Sequence, residues 1–317
     1  MIQPRLFLAE SFSMSRLSRF FVLLAAMATI SAWLSAQSPA AAQLLRQRYL
    51  SETTGKVRDY YVFLPKGYAS SPGKSWPVLL FLHGAGERGN GLSDLEKILV
   101  HGPLMEAWIQ GRDLPMIIVA PQAPYPLDAP NTQALPAGFA EKRDPTATPP
   151  ARLQAPFDPK PIPEDWGTLR DRGTPGVLNV WLKMENELEF MLRMTLADFR
   201  ADRKRIFISG LSMGGFGTFA IAARKPHLFA AIAPICGGGD PATLDALAAS
   251  GRPMWVFHGG RDRVVAPAES LRMVNALLEK GHQNIRFTVH EDLGHNVWTR
   301  VFEGEDFYHW LLAQHLP

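Results

Sequence analysis

The sequence is poor in cysteine, in net charge and in long apolar runs. Cys236 is the single cysteine of 317 residues. No disulfide can close within the chain, and no multi-cysteine zinc cluster can form. That cysteine stands in "AAIAPICGGG", a strand-like apolar stretch, which suits a small buried hydrophobe better than a reactive thiol. The 33 basic and 30 acidic residues leave a formal charge of +3. Residues 1–42 hold three of the basic residues and one of the acidic ones, so the remainder stands at +1. A near-neutral body gives no electrostatic footprint for nucleic acid or an anionic membrane. The one sustained apolar run, Phe20 to Leu34, is shorter than the about 20 residues a membrane span needs.

What that run does have is the flanks of an export signal. Arg5, Arg16 and Arg19 precede it, and small residues ending Ala40-Ala41-Ala42-Gln43 follow it. Basic n-region, apolar h-region and A-x-A-like site make a signal peptide the expectation for 1–42. The mature chain, 43–317, is then secreted or periplasmic, with no stable membrane association. An uncleaved N-terminal anchor is the alternative. Hydrophobic residues make up 46% of the sequence. A chain of this length with that composition can bury a large core without disulfides.

Along 43–317, short β-like runs alternate with helical patterns. The β-like runs are Arg46–Leu50, Val57–Leu64, Val78–Leu82, Met116–Ala120, Arg205–Ser209, Phe229–Ile235, Met254–Phe257 and Ile285–Val289. The central ones are almost continuously apolar, as strands covered on both faces are. Helical spacing is visible over Glu185–Arg200, Gly215–Arg224, Pro241–Ala249, Pro267–Lys280 and Glu305–His315. This alternation predicts one α/β domain with an eight-stranded, mostly parallel sheet and helices on both faces. Pro121–Leu182 breaks the rhythm and holds half of the chain's 26 prolines. It reads as an insertion at the carboxyl end of a strand, where ligands of parallel sheets sit. Tyr125, Phe139, Phe157, Trp166 and Trp181 are its candidate pocket aromatics.

"RIFISGLSMGGFGTFA", Arg205 to Ala220, places Ser212 between Gly210 and Gly214 where a strand becomes a helix. A lone G-x-S-x-G is a weak signal, and an ordinary strand–helix turn is the bland alternative. The strand–turn–helix context is what a nucleophile elbow requires. A serine also needs a base, and the base an orienting acid, in chain order serine, acid, histidine. His295, in the Gly-flanked "LGHNVW" after the last β-like run, is the expected base. His258 ends a buried run and reads as structural, and His227 as solvated. Asp262 in "HGGRDRVV" is favoured as the acid over Asp292, which reads as a loop residue. The oxyanion donors are expected to be the N–H of Met213, next after the serine, and of Ala85 in "LLFLHGAGERGNG". His83, in the same loop, reads as a bracing residue rather than a base.

Together, "HGAGERG", "GLSMGG", "HGGRDRVV" and "GHNVW" resemble the α/β-hydrolase superfamily. More closely they are similar to secreted serine esterases of the feruloyl-esterase, polyhydroxybutyrate-depolymerase and prolyl-oligopeptidase-like type. The resemblance runs from about Arg46 to the C-terminus, outside the insertion. It implies Ser212, Asp262 and His295 as nucleophile, acid and base, with no metal and no organic cofactor. The expected activity is hydrolysis of a small-molecule or polymer-linked carboxylic ester through an acyl-enzyme. A serine peptidase, an acyltransferase and a catalytically silent polymer-binding module are the alternatives.

Overall fold

The computed structural model describes residues 41–125 and 180–317. Nearly all of the expected signal peptide lies outside the described residues. So does most of the Pro-rich insertion, with Phe139, Phe157 and Trp166.

Eight strands form one sheet: β1 (Gln43–Leu50), β2 (Val57–Leu64), β3 (Trp76–Leu82), β4 (Ile117–Ala120), β5 (Ala201–Leu211), β6 (Ala231–Ile235), β7 (Met254–Gly259) and β8 (Ile285–His290). Their spatial order is β1-β2-β4-β3-β5-β6-β7-β8. β1 and β2 pair antiparallel, as do β2 and β4. From β4 to β8 every pairing is parallel. The apolar runs seen in the sequence fall on these strands within a few residues. β3, "WPVLLFL", is buried at every position. Edge strand β1 alternates between exposed and covered residues.

Because side chains alternate across a strand, each strand feeds two cores. Val78, Leu80, Leu82, Ile206, Ile208 and Ile232 face one side. Leu79, Phe81, Phe207, Ala231, Ala233 and Ile235 face the other. The first side is covered by α2 (Glu185–Asp198), α3 (Met213–Arg224) and α5 (Pro267–Glu279), through residues such as Met191, Phe219 and Leu277. The short helices α1 (Val180–Lys183) and α4 (Asp245–Ser250) complete that layer. The second side is covered by α6 (Trp298–Glu303) and α7 (Glu305–Leu312), with Phe302, Phe307 and Leu311. Each such fully buried side chain contributes about 1.5–3 kcal/mol of transfer free energy. Among the described residues, no helix is long and apolar enough to cross a membrane.

Two expectations are adjusted. The stretch from Pro241 is not one helix: a 3-10 turn over Pro241–Thr243, capped by the Asp240 carboxylate on Ala242 N–H, precedes α4. The C-terminal end of the insertion is helical, since α1 begins at Val180. Trp181 there is fully buried, with its ring 5.0 Å from that of His83. It is therefore core, not pocket wall. Tyr125, at the other end, lies under the Arg88 guanidinium.

Candidate active site

β5 runs directly into α3, and Ser212 is the turn between them. Its φ of 53° and ψ of −118° are unusual for a residue with a side chain. The strain is held in place: Ser212 N–H donates to Ile235 O at 3.0 Å, and Phe216 N–H to Ser212 O at 3.0 Å. Glycine is required beside it because α3 starts hard against the end of β3. A Cβ at Gly214 would fall 1.8 Å from the Leu82 carbonyl oxygen.

Asp262 follows β7, and His295 follows β8. The two loops are laced together: Gly260 N–H donates to His290 O at 2.8 Å and Arg261 N–H to Leu293 O at 2.9 Å. Gly259 permits this approach, since a Cβ there would lie 2.1 Å from Gly294 O. The lacing brings His295 over both partners. His295 Nδ1 is 2.7 Å from Asp262 Oδ2, and Nε2 is 2.9 Å from Ser212 Oγ. Ionised Asp262 accepts only, so Nδ1 carries the proton and Nε2 faces the serine hydroxyl as acceptor.

The Asp262 carboxylate is buried. Burial alone would raise its pKa, but hydrogen bonds from His258 and His295 outweigh that and hold it below the ordinary value. Its other oxygen, Oδ1, accepts Val264 N–H at 2.8 Å and Val265 N–H at 2.9 Å. Asp292 is elsewhere: it is half exposed and paired with Arg300 at 2.7 and 2.5 Å, which holds its pKa near 2.

Met213 opens α3, so its N–H has no partner inside the helix. Ala85 opens a 3-10 turn, Ala85–Glu87, just past β3, and Arg88 Nε donates to its carbonyl at 2.9 Å. His83 braces that loop: Nε2 accepts Ala123 N–H at 2.9 Å and Nδ1 donates to Gly84 O at 2.6 Å. Burial lowers its pKa to about 3, so it stays neutral in this role. Cys236 is buried at the end of β6 with φ 42°. Its Sγ and ligand atoms of Asp262 and His295 lie within 4.8 Å of one another. The latter two are committed to each other, and burial keeps the thiol protonated, so the trio is poorly set up to receive an ion.

Sequence reasoning missed two neighbours. His258, set aside as structural, has Nε2 3.3 Å from Asp262 Oδ2. Its i, i+4 spacing to Asp262 in "HGGRD" was the available signal. Glu87, in a polar-looking loop, is buried within 4 Å of His83 and His101, and burial raises its pKa to about 7.

A family model described as the dienelactone hydrolase family matches residues 173–305, a span holding Ser212, Asp262 and His295 but not the Ala85 loop. No curated protein matches the chain. Among solved structures it is similar to a thermostable esterase, at 27% identity and a TM-score of 0.56. That match covers 86% of this chain and 63% of the other, so the chain spans less than two thirds of that esterase. It is also similar to an S-formylglutathione hydrolase from Staphylococcus aureus, at 14% identity, TM-score 0.54, and 86% and 97% coverage. A ferulic acid esterase from Anaeromyces mucronatus matches at 16% identity, TM-score 0.52, and 86% and 90% coverage. The latter two likenesses concern the fold.

Proposed function

Since the chain belongs to the α/β-hydrolase superfamily, we propose that it is an exported serine hydrolase of carboxylic esters. The observation that carries this reading is the unbroken relay of 2.9 and 2.7 Å from Ser212 through His295 to Asp262. His295 Nε2 takes the Ser212 proton as Oγ bonds to the ester carbonyl carbon. The resulting oxyanion accepts from Met213 N–H and Ala85 N–H. As the intermediate collapses, Nε2 passes its proton to the leaving alcohol, and the acyl group stays on Ser212. Water then gives a proton to Nε2 and attacks the acyl carbon. Ser212 recovers its hydrogen and the acid departs. Asp262 fixes the histidine tautomer throughout and supports its positive charge.

Two observations support the substrate class: the export signal expected over residues 1–42, and the likeness of the fold to an esterase and a ferulic acid esterase. Ferulate-type and acetyl esters are the first candidates. The test is a panel of acetyl, feruloyl and long-chain esters and a peptide amide, run with the full chain and with Ser212→Ala. Ester turnover should fall by about 10³-fold or more in the variant. Peptide cleavage exceeding ester cleavage would replace the esterase reading, and equal rates in both proteins would remove Ser212 as nucleophile.

A further inference from the structure

His258 is buried completely at the end of β7. Its ring nonetheless has a hydrogen-bond partner on every polar edge. Nδ1 is 2.7 Å from Ser270 Oγ, on α5. The Ser270 hydroxyl hydrogen is directed to Gly237 O at 2.7 Å. Its oxygen is thus left to accept, and Nδ1 to donate. Nε2 faces Val265 O at 2.9 Å and Asp262 Oδ2 at 3.3 Å, and both are acceptors. A ring that donates through both nitrogens has the bonding pattern of an imidazolium.

The consequence falls on Asp262. In the resting state the base, His295, must be neutral to accept the serine proton. A buried carboxylate beside a neutral imidazole lacks a countercharge, and an unpaired buried charge is costly. We propose that His258 is a positioning residue of the triad, supplying a second donor and a countercharge to Asp262 Oδ2. The chain Gly237–Ser270–His258–Asp262–His295–Ser212 then spans from the end of β6 to the nucleophile. Among the described residues, the ionisable groups packed around that carboxylate are His258, His295 and Cys236, whose thiol stays neutral through burial. His258 therefore keeps Asp262 ionised without making His295 too basic to work. This inference rests on the Ser212–His295–Asp262 reading above.

Removing a donor, and with it a positive charge, from Oδ2 leaves more negative charge facing His295. The acid limb of kcat/KM, which reports the free enzyme, then moves upward. The experiment is the pH profile of 4-nitrophenyl acetate hydrolysis for the full chain and for His258→Leu, His258→Gln and Ser270→Ala. His258→Leu should move the acid limb up by about 0.5–1 pH unit and lower kcat by about tenfold. His258→Gln, whose amide N–H reaches towards the same oxygen, should recover part of the shift. Ser270→Ala, a small change that frees the ring to turn, should move the limb in the same direction by less. A merely structural histidine would change thermal stability and leave the limb in place. If His258→Leu does not fold, an unmoved limb in folded Ser270→Ala overturns the proposal, as does an unmoved limb in folded His258→Leu. Wild-type protein without Ser212-dependent turnover would instead overturn the triad reading beneath it.

Discussion

Two oxygens of Asp262 face four donors: the Val264 and Val265 amides on Oδ1, and His295 and His258 on Oδ2. A carboxylate can accept all four, whereas an amide turns one oxygen into a donor. Asp262→Asn should therefore present the wrong histidine tautomer and lower kcat by about 10⁴-fold. Asp292→Asn should leave kcat within about twofold, because the lost partner is one exposed arginine whose ion pair is worth about 0–1 kcal/mol. Kinetics of the two variants on one ester checks both, and the reverse ranking would move the acid to Asp292. That Asp262 and not Asp292 would meet His295 was legible in the sequence, because Asp262 follows a buried run and a Gly turn. The hydrogen bond of His258 was not. Nothing in "MWVFHGG" says which way the ring points, and only the approach of α5, with Ser270, decides it.

At the scale of elements, the site depends on two close approaches. At the elbow, α3 starts against the β3 carbonyls, and Gly214→Ala should cost about 3 kcal/mol or more, since backbone on both sides cannot yield. Chemical denaturation of that variant checks it, and wild-type stability would mean the packing there is loose. The second approach is the Ala85 loop, which rests on the buried Glu87. Its folded pKa, about 7, lies above its ordinary value of 4.5, so the folded state holds the proton more tightly. The stabilisation from this group is full below pH 4.5 and is lost as pH rises to about 7. Glu87→Gln should thus gain stability relative to wild type across that window, by up to about 3 kcal/mol, and then level off. Buried His83 and partly buried His101 act in the opposite direction. Their pKa values, lowered to about 3 and about 4, make them destabilising as pH falls below 6.5. Melting curves between pH 4 and 9 separate the two, and a pH-independent difference would place Glu87 in contact with solvent. The strands were legible because burial on both faces leaves them uniformly apolar. Glu87 was not, since "GERGNG" has a loop's composition and its burial comes from distant chain. Helix α6 was likewise hidden, as "WTRVFE" is too short to show a period.

Across the whole molecule, the parallel strands β3, β5, β7 and β8 all end on one edge, and the residues proposed for the reaction follow them there. The loop after β3 carries Ala85, the turn after β5 carries Ser212 and Met213, and the loops after β7 and β8 carry Asp262 and His295. Strand order thus brings Ser212 and His295, 83 residues apart in sequence, within 2.9 Å of each other. Strand β4 also ends on that edge, and in sequence the chain continues from it, through Tyr125, into the segment 126–179. Replacement of that segment by a short Gly/Ser linker should change the ratio of acetyl to aromatic ester rates more than it changes the melting temperature. An unchanged ratio would mean that the segment takes no part in selecting the substrate. Whether Ser212 is an activated nucleophile has a more direct test. The full chain is treated with a fluorophosphonate probe and the modified peptide is mapped by mass spectrometry. A single phosphonyl adduct on Ser212 is expected, abolished in Ser212→Ala and strongly slowed in His295→Ala. Labelling at another residue, or undiminished labelling of Ser212→Ala, would contradict it.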